Sequence, residues 1–407
     1  MTDATTTARR PTPLWAKALL ILAGVAFALL LAAGLLALFP DLIPAFANPD
    51  RYERSYAGTV IQVEYRPSMG DMFHTLPGRI RPPTDDSVIA SYTLAWDADG
   101  FREPAVPAER YPIAAFGDSF TEGYNVALPW PDRLAELLET PVRNYGYRAY
   151  GPLEISRAAA EFAGREPRAW LLYAFFSGND LSDANRPIME QERSPFFMLP
   201  VLAEQAAENV SAQIAENTSD HYDFPMPVII GGNYYELVIL DNYLWWQLAP
   251  PEGFEASANY RIIGETMDGL AQAVGEETCL GFIFIPTKEQ LYYPFVHEGA
   301  RQWLWGVGHR PMLDDSQRLQ LEPAPFAEAE EADFVEHLTD QHDAMEGLVA
   351  SKERWHFIDL LPALQERVNQ GELLYYPYDS HWNQAGHDLA AQVIANYLRG
   401  ATECEIS

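Results

Sequence analysis

Two patterns of apolar residues divide this chain. The first is one uncharged, almost wholly apolar run of 22 residues, Ala18 to Phe39. A helix that crosses a bilayer core needs about 20. Arg9, Arg10 and Lys17 precede the run, and Pro40 and Asp41 follow it. Basic residues before the run and none just after it predict a cytoplasmic N-terminus, with the rest of the chain outside the inner membrane. A cleaved signal peptide is the competing reading. Its apolar core is usually shorter, about 7–15 residues, yet Ala45-Phe46-Ala47 resembles a cleavage site. Both readings place the remainder outside the cytoplasm.

The second pattern begins at residue 111, where short apolar runs alternate with helical periodicity. Strands are predicted at Ile113–Phe116, Val142–Tyr145, Ala169–Phe176, Leu280–Ile285 and Trp355–Leu360. Helices are predicted at Trp130–Leu138, Leu153–Phe162, Tyr260–Val274, 329–350 and Gln384–Leu398. Strand–helix alternation of this kind implies a parallel sheet with right-handed crossovers. Residues 184–259 interrupt it. Val228 to Ile239 reads as a hairpin around Gly231-Gly232-Asn233, followed by Tyr243, Trp245 and Trp246. Two readings stand for this insertion: a lid or platform over a site, or an excursion that buries its own aromatics. The expected organisation is a cytoplasmic tail (1–17), a transmembrane helix (18–39), a juxtamembrane segment (40–110), an α/β domain (111–400) and a short tail (401–407).

Composition narrows the function. The chain has 407 residues, 48% of them hydrophobic and 13% aromatic, enough for a sizeable core. The formal net charge is −31. The acidic residues are spread along the chain with no cluster of Lys and Arg, which excludes nucleic acid as a partner and reads as solubility. Cys279 and Cys404 share no metal-ligand spacing. They are either a disulfide tying the tail to the start of a strand or two buried thiols. No metal or cofactor is implied.

Candidate chemistry comes from three polar segments. Phe116-Gly117-Asp118-Ser119-Phe120-Thr121-Glu122-Gly123 follows the first strand, so Ser119 sits at a carboxyl end, where open α/β sheets place their ligands. Ser177-Gly178-Asn179-Asp180 follows the third. Asp379-Ser380-His381 precedes the last helix. A serine hydroxyl needs a base to take its proton, and the histidine needs a carboxylate to fix its tautomer. Ser119, His381 and Asp379 fill those roles. An oxyanion needs aimed donors. The candidates are the Ser119 N–H, a backbone N–H in the turn 146–151, and the Asn179 amide. Asp118 and Asp180 read as turn caps, and His387 as a surface or cap residue.

In this ordered combination the chain resembles the SGNH hydrolase superfamily, the GDSL-type esterases and lipases. Asn144-Tyr145-Gly146-Tyr147-Arg148-Ala149-Tyr150-Gly151 adds a further block, as do Asp99-Gly100-Phe101-Arg102 and Ile285-Pro286-Thr287-Lys288-Glu289-Gln290 with Tyr292. The resemblance covers roughly 95–180 and 280–400. It implies a three-layer α/β/α, flavodoxin-like fold with five parallel strands. It makes Ser119 the nucleophile, puts Asn179 in the oxyanion hole, and has Asp379 and His381 complete the triad. Ala149 stands where the family usually has its oxyanion glycine, and one residue, not two, separates Asp379 from His381. Lys288 and Trp382 are candidate substrate contacts, with a structural ion pair and packing as their alternatives.

Membrane-linked relatives move acyl groups on cell-surface polymers, often beside a membrane-bound O-acyltransferase. That implies an acylated carbohydrate as substrate and such an acyltransferase as partner. The alginate-type enzymes place their Asp–His pair before the serine, so that branch is a poor match. A non-catalytic envelope scaffold and a lipase or lysophospholipase are the alternative functions.

Overall fold

A computed structural model of the chain describes residues 14–38, 56–185, 224–248, 254–402 and 404. It divides into two compact units, Met1–Glu53 and Arg54–Ser407. In the first, one helix spans Leu14–Leu38, over most of the predicted membrane run. Its side chains are described only in part, and among the described residues no helix is long and apolar enough to cross a membrane. The Ala45-Phe46-Ala47 segment lies outside the described residues.

The second unit is built on the predicted sheet. Its strands are β3 (Ile113–Gly117), β4 (Val142–Gly146), β5 (Trp170–Phe176), β8 (Cys279–Ile285) and β11 (Trp355–Asp359). They are all parallel, in the order β11-β8-β5-β3-β4. Every residue of β3, β4 and β5 is buried. Buried parallel strands read as continuous apolar runs, which is why β3, β5 and β8 were legible in the sequence. The chain reverses its direction across the sheet after β4, and right-handed crossovers then send helices to opposite faces. Helix Trp130–Leu138 packs with the last helix, Gln384–Gly400, while Pro152–Phe162 packs with Ala258–Ala273. The reversal falls between β3 and β5, and the carboxyl ends of the strands at such a point are where these sheets bind ligands.

Smaller ribbons surround this frame. β1 (Val60–Tyr65) pairs antiparallel with β2 (Ala90–Ala95), inside the segment expected to be juxtamembrane. β6 (Met226–Ile230) and β7 (Asn233–Leu237) form the predicted hairpin around Gly231-Gly232. β9 (His309–Leu313) and β10 (Leu319–Pro323) make a third ribbon. Cys279 and Cys404 are bridged, with their Cα atoms 6.0 Å apart.

Three expectations change. The helix over 329–350 is broken into Glu331–Glu336 and Asp340–Ala350, with a 3₁₀ turn at His337–Thr339. Tertiary partners take the backbone groups at the break. Gln290 Nε2 donates to the Leu338 carbonyl at 2.7 Å, and the Gln341 N–H donates to the Gln247 carbonyl at 2.9 Å. In the insertion, Trp245 and Trp246 are buried, Trp245 stacked on Phe326 at 5.4 Å, so these two are core, not platform. Residues 186–223 and 249–253 of the insertion lie outside the described residues. His387 is fully buried, and its Nδ1 accepts from the Trp130 N–H at 3.2 Å. Burial drives its pKa down to about 3, so it is a neutral anchor for helix Trp130–Leu138.

Candidate active site

The site grows from the end of β3. Gly117 ends the strand, and Asp118 caps the short helix Ser119–Glu122 by accepting from the Phe120 N–H at 2.9 Å. A capping aspartate at a strand-to-helix turn fixes the next residue at the head of the helix. Ser119 is therefore held at the lip of the sheet, half-buried. Asp180 does similar work after β5, accepting from the Phe176 N–H at 2.9 Å.

Ser119 Oγ lies 2.7 Å from His381 Nε2. His381 Nδ1 lies 2.6 Å from Asp379 Oδ1, which also accepts the His381 backbone N–H at 2.9 Å. The two residues share one tight loop, so the single intervening residue suffices for this geometry. The imidazole is walled by Phe120 at 4.9 Å and by the edge of Tyr124 at 5.3 Å. Burial opposes its charge, but the Asp379 carboxylate, with Asp71 and Asp118 beyond it, holds the His381 pKa above its ordinary value. Burial likewise opposes the Asp379 charge, and the bonds from His381 and Tyr65 outweigh it, keeping that carboxyl below the usual range. Such a chain can pass a proton from a hydroxyl to an imidazole and stabilise the cation that forms.

Two of the predicted oxyanion donors belong to the turn after β4 and to the end of β5. The turn after β4 is closed by the Tyr150 N–H donating to the Tyr147 carbonyl at 3.1 Å. Ala149 is its third residue and has φ +63°. That left-handed backbone is the one a glycine adopts freely. Alanine is thus held in the conformation the family's glycine would take. Arg148 pins the turn: its backbone N–H, Nε and guanidinium all bond the buried Glu122 carboxylate at 2.8–3.0 Å. Asn144 ties the two blocks together, donating to the Thr121 carbonyl at 2.7 Å while accepting from the Gly146 N–H at 2.8 Å. Asn179 Nδ2 donates to Asp183 at 3.1 Å. An amide carries two N–H groups, so this bond leaves the second one for a ligand.

Lys288 and Trp382 do not face this site as substrate contacts. Lys288 is fully buried. Its ammonium donates to the backbone carbonyls of Asp379 at 3.0 Å, Pro377 at 3.4 Å and Tyr376 at 3.5 Å, clamping the loop that carries Asp379 and His381. Trp382 is buried behind the site, edge-on to Phe120 at 5.2 Å. Arg102 is structural too, donating to the carbonyls of Gly123, of Ala127 at 2.7 Å and of Val126 at 3.1 Å, and so wrapping the loop after Ser119.

Four residues at the site carried no assigned role in the sequence reading: Tyr65, Asp71, Glu122 and Arg148. Glu122 and Arg148 sit inside recognised blocks, but their pairing joins segments 26 residues apart. Tyr65 and Asp71 come from outside the recognised region, and no local signal marks them. A cavity of about 990 Å³ lined by Tyr260, Arg261, Asp340 and Lys352 shares none of the site residues, so it does not mark the reacting centre.

Residues 318–405 match the family described as "SGNH hydrolase-like domain, acetyltransferase AlgX". That C-terminal segment is similar to an SGNH hydrolase-like domain. The matched segment holds Asp379 and His381 but not Ser119, so it does not test the motif order that argues against the alginate-type branch. No curated protein matches the chain by sequence. Among solved structures, a putative platelet activating factor from Streptococcus pneumonia is 11% identical, with a TM-score of 0.34 over 72% of this chain and 86% of its own. A lipolytic protein of the G-D-S-L family from Veillonella parvula is 11% identical, TM-score 0.33, over 71% and 97%. An acetyl xylan esterase from Butyrivibrio proteoclasticus is 8% identical, TM-score 0.30, over 75% and 68%. Likenesses this distant carry no argument about activity.

Proposed function

We propose that this protein is an extracytoplasmic serine esterase or O-acyltransferase that works through a Ser119–His381–Asp379 acyl-enzyme mechanism. The observation that supports it is the unbroken hydrogen-bonded chain from Ser119 Oγ through the imidazole to the Asp379 carboxylate. Ser119 Oγ attacks the ester carbonyl while His381 Nε2 takes its proton. The oxyanion forms against the N–H groups of Ser119 and Ala149 and the Asn179 amide. Collapse expels the alcohol, which leaves with the proton from His381. Water or a sugar hydroxyl then gives its proton to His381 and attacks the acyl carbonyl, and Ser119 Oγ leaves with that proton from His381 as the acyl group passes to the acceptor. The acyl group is acetyl, and the substrate an acylated polysaccharide of the envelope or for export. A membrane-bound O-acyltransferase would be its partner.

The helix Leu14–Leu38 is the single inner-membrane anchor in this reading, with a cytoplasmic N-terminus. The uncharged run Ala18–Phe39 has the roughly 20 residues that a bilayer needs, and Leu19, Leu20, Ile21 and Leu22 are exposed on the helix. The Cys279–Cys404 bridge supports an oxidising compartment for the second unit.

Ser119→Ala tests the chemistry. A small acetyl ester should be turned over by the wild type and not by the variant, with about a thousandfold loss or more. A fluorophosphonate should label the wild type alone. Full activity in a folded Ser119→Ala protein overturns the assignment.

A further inference from the structure

We propose that the segment Tyr65–Met72, which precedes the core sheet in the chain, is built into the active site, with Tyr65 and Asp71 as positioning residues for the Asp379–His381 pair. This rests on the serine-esterase reading above. Tyr65 is buried at the end of β1, its ring against Tyr376 at 4.5 Å. Its hydroxyl donates to Asp379 Oδ2 at 2.6 Å. Asp379 Oδ1 is already taken by His381. Tyr65 therefore occupies the remaining oxygen and fixes the carboxylate in the orientation that the imidazole requires.

Asp71 grips the residue between the pair. Its Oδ1 accepts the Ser380 N–H at 2.8 Å, and its Oδ2 accepts the Ser380 hydroxyl. The same Oδ2 stands 3.5 Å from His381 Nδ1. The segment can come this close because residue 70 is a glycine. A Cβ at Gly70 would collide with the Tyr378 carbonyl. The Met72 N–H donates to that same carbonyl at 3.3 Å, and Met72 is fully buried in a small cluster with Ile80, Val238, Leu240 and Tyr378. Packing alone would explain Met72. It does not explain a phenol aimed at the candidate catalytic carboxylate, or a second carboxylate set behind the imidazole.

The charge around His381 follows from this placement. Asp379 faces it from its own loop, Asp71 from the segment after β1, and Asp118 from the serine turn. Tyr124 presents a ring edge, and His387, neutral in its buried place, adds no charge. Lys288 is spent on the loop carbonyls. When His381 takes the serine proton, its cation is stabilised by carboxylates from three separate elements. Removing Asp71 weakens that stabilisation, so the imidazole loses its proton at lower pH.

Full-chain Tyr65→Phe and Asp71→Asn test this, with p-nitrophenyl acetate as substrate and fluorophosphonate labelling of Ser119 as the second readout. Tyr65→Phe should lower kcat about tenfold with KM nearly unchanged, the effect of losing one hydrogen bond to a charged group. Asp71→Asn should lower kcat/KM and move its acid limb down by about half a pH unit. Wild-type rates and an unmoved limb in both variants, with Ser119 still labelled, overturn the inference and leave the esterase reading intact. A wild type that neither hydrolyses the ester nor takes the label overturns that reading, and the inference with it. Tyr65→Phe removes one oxygen only, so it decides the matter if Asp71→Asn fails to fold.

Discussion

At the residue scale, the site joins positions a sequence can mark to positions it cannot. Ser119, Asp379 and His381, which the fold joins by hydrogen bonds, were legible because each sits in a short turn next to a strand or helix, and turns have local grammar. Lys288 stood between a substrate contact and a structural ion pair because a charged side chain carries no sign of whether it is buried. Here the fold buries it under three carbonyls. Ala149 was noticed as a departure, but only the backbone shows what the departure costs. At φ +63° an L-residue is disfavoured by about 1–2 kcal/mol relative to the right-handed region. Ala149→Gly removes that cost and adds some unfolded-state entropy, so a net gain of about 1 kcal/mol is expected in urea unfolding. Fluorophosphonate labelling should persist in the variant. A loss of stability would show that the turn does not carry strain at this position.

At the element scale, the strands of the central sheet were read within a residue or two. Fully buried parallel strands such as β3 and β5 leave a continuous apolar signature. The helix over 329–350 was read as one because its periodicity runs on through the break. Gln290 and Gln247, distant in sequence, interrupt it by taking the backbone groups at Leu338 and Gln341. The loop 376–381 shows the same dependence. It has no regular structure, and its shape comes from Lys288 on one side and the Asp71 segment on the other. Lys288→Met should therefore leave several buried carbonyls unpaired, lower stability by about 3 kcal/mol, and slow labelling of Ser119 although residue 288 never meets substrate. Thermal unfolding together with labelling rates reads both effects. A stable variant with wild-type labelling would make the clamp dispensable.

At the scale of the whole molecule, one prediction joins the two units. A chain beginning at Arg54 is expected to fold and label like the full protein, because residues 54–407 form one compact unit. Cell fractionation should find the full chain in the membrane pellet and the shortened one in the soluble fraction. The disulfide belongs to the same scale, since it closes a loop of 125 residues between the start of β8 and the tail. Cys404→Ser should cost about 2–4 kcal/mol in unfolding experiments, and an unchanged midpoint would argue that the bridge is idle. The sequence by itself determined the sheet, the serine turn, the Asp–His loop and the apolar N-terminal run. Each of these is written in contiguous residues whose local periodicity or turn chemistry suffices. Only the tertiary structure decided that Tyr65 and Asp71 reach the Asp–His loop, that Glu122 and Arg148 brace the Ala149 turn, and that Lys288 and Trp382 serve the scaffold. Those are contacts between distant segments. Burial and hydrogen-bond pairing across the fold set them, and neither leaves a pattern along the chain.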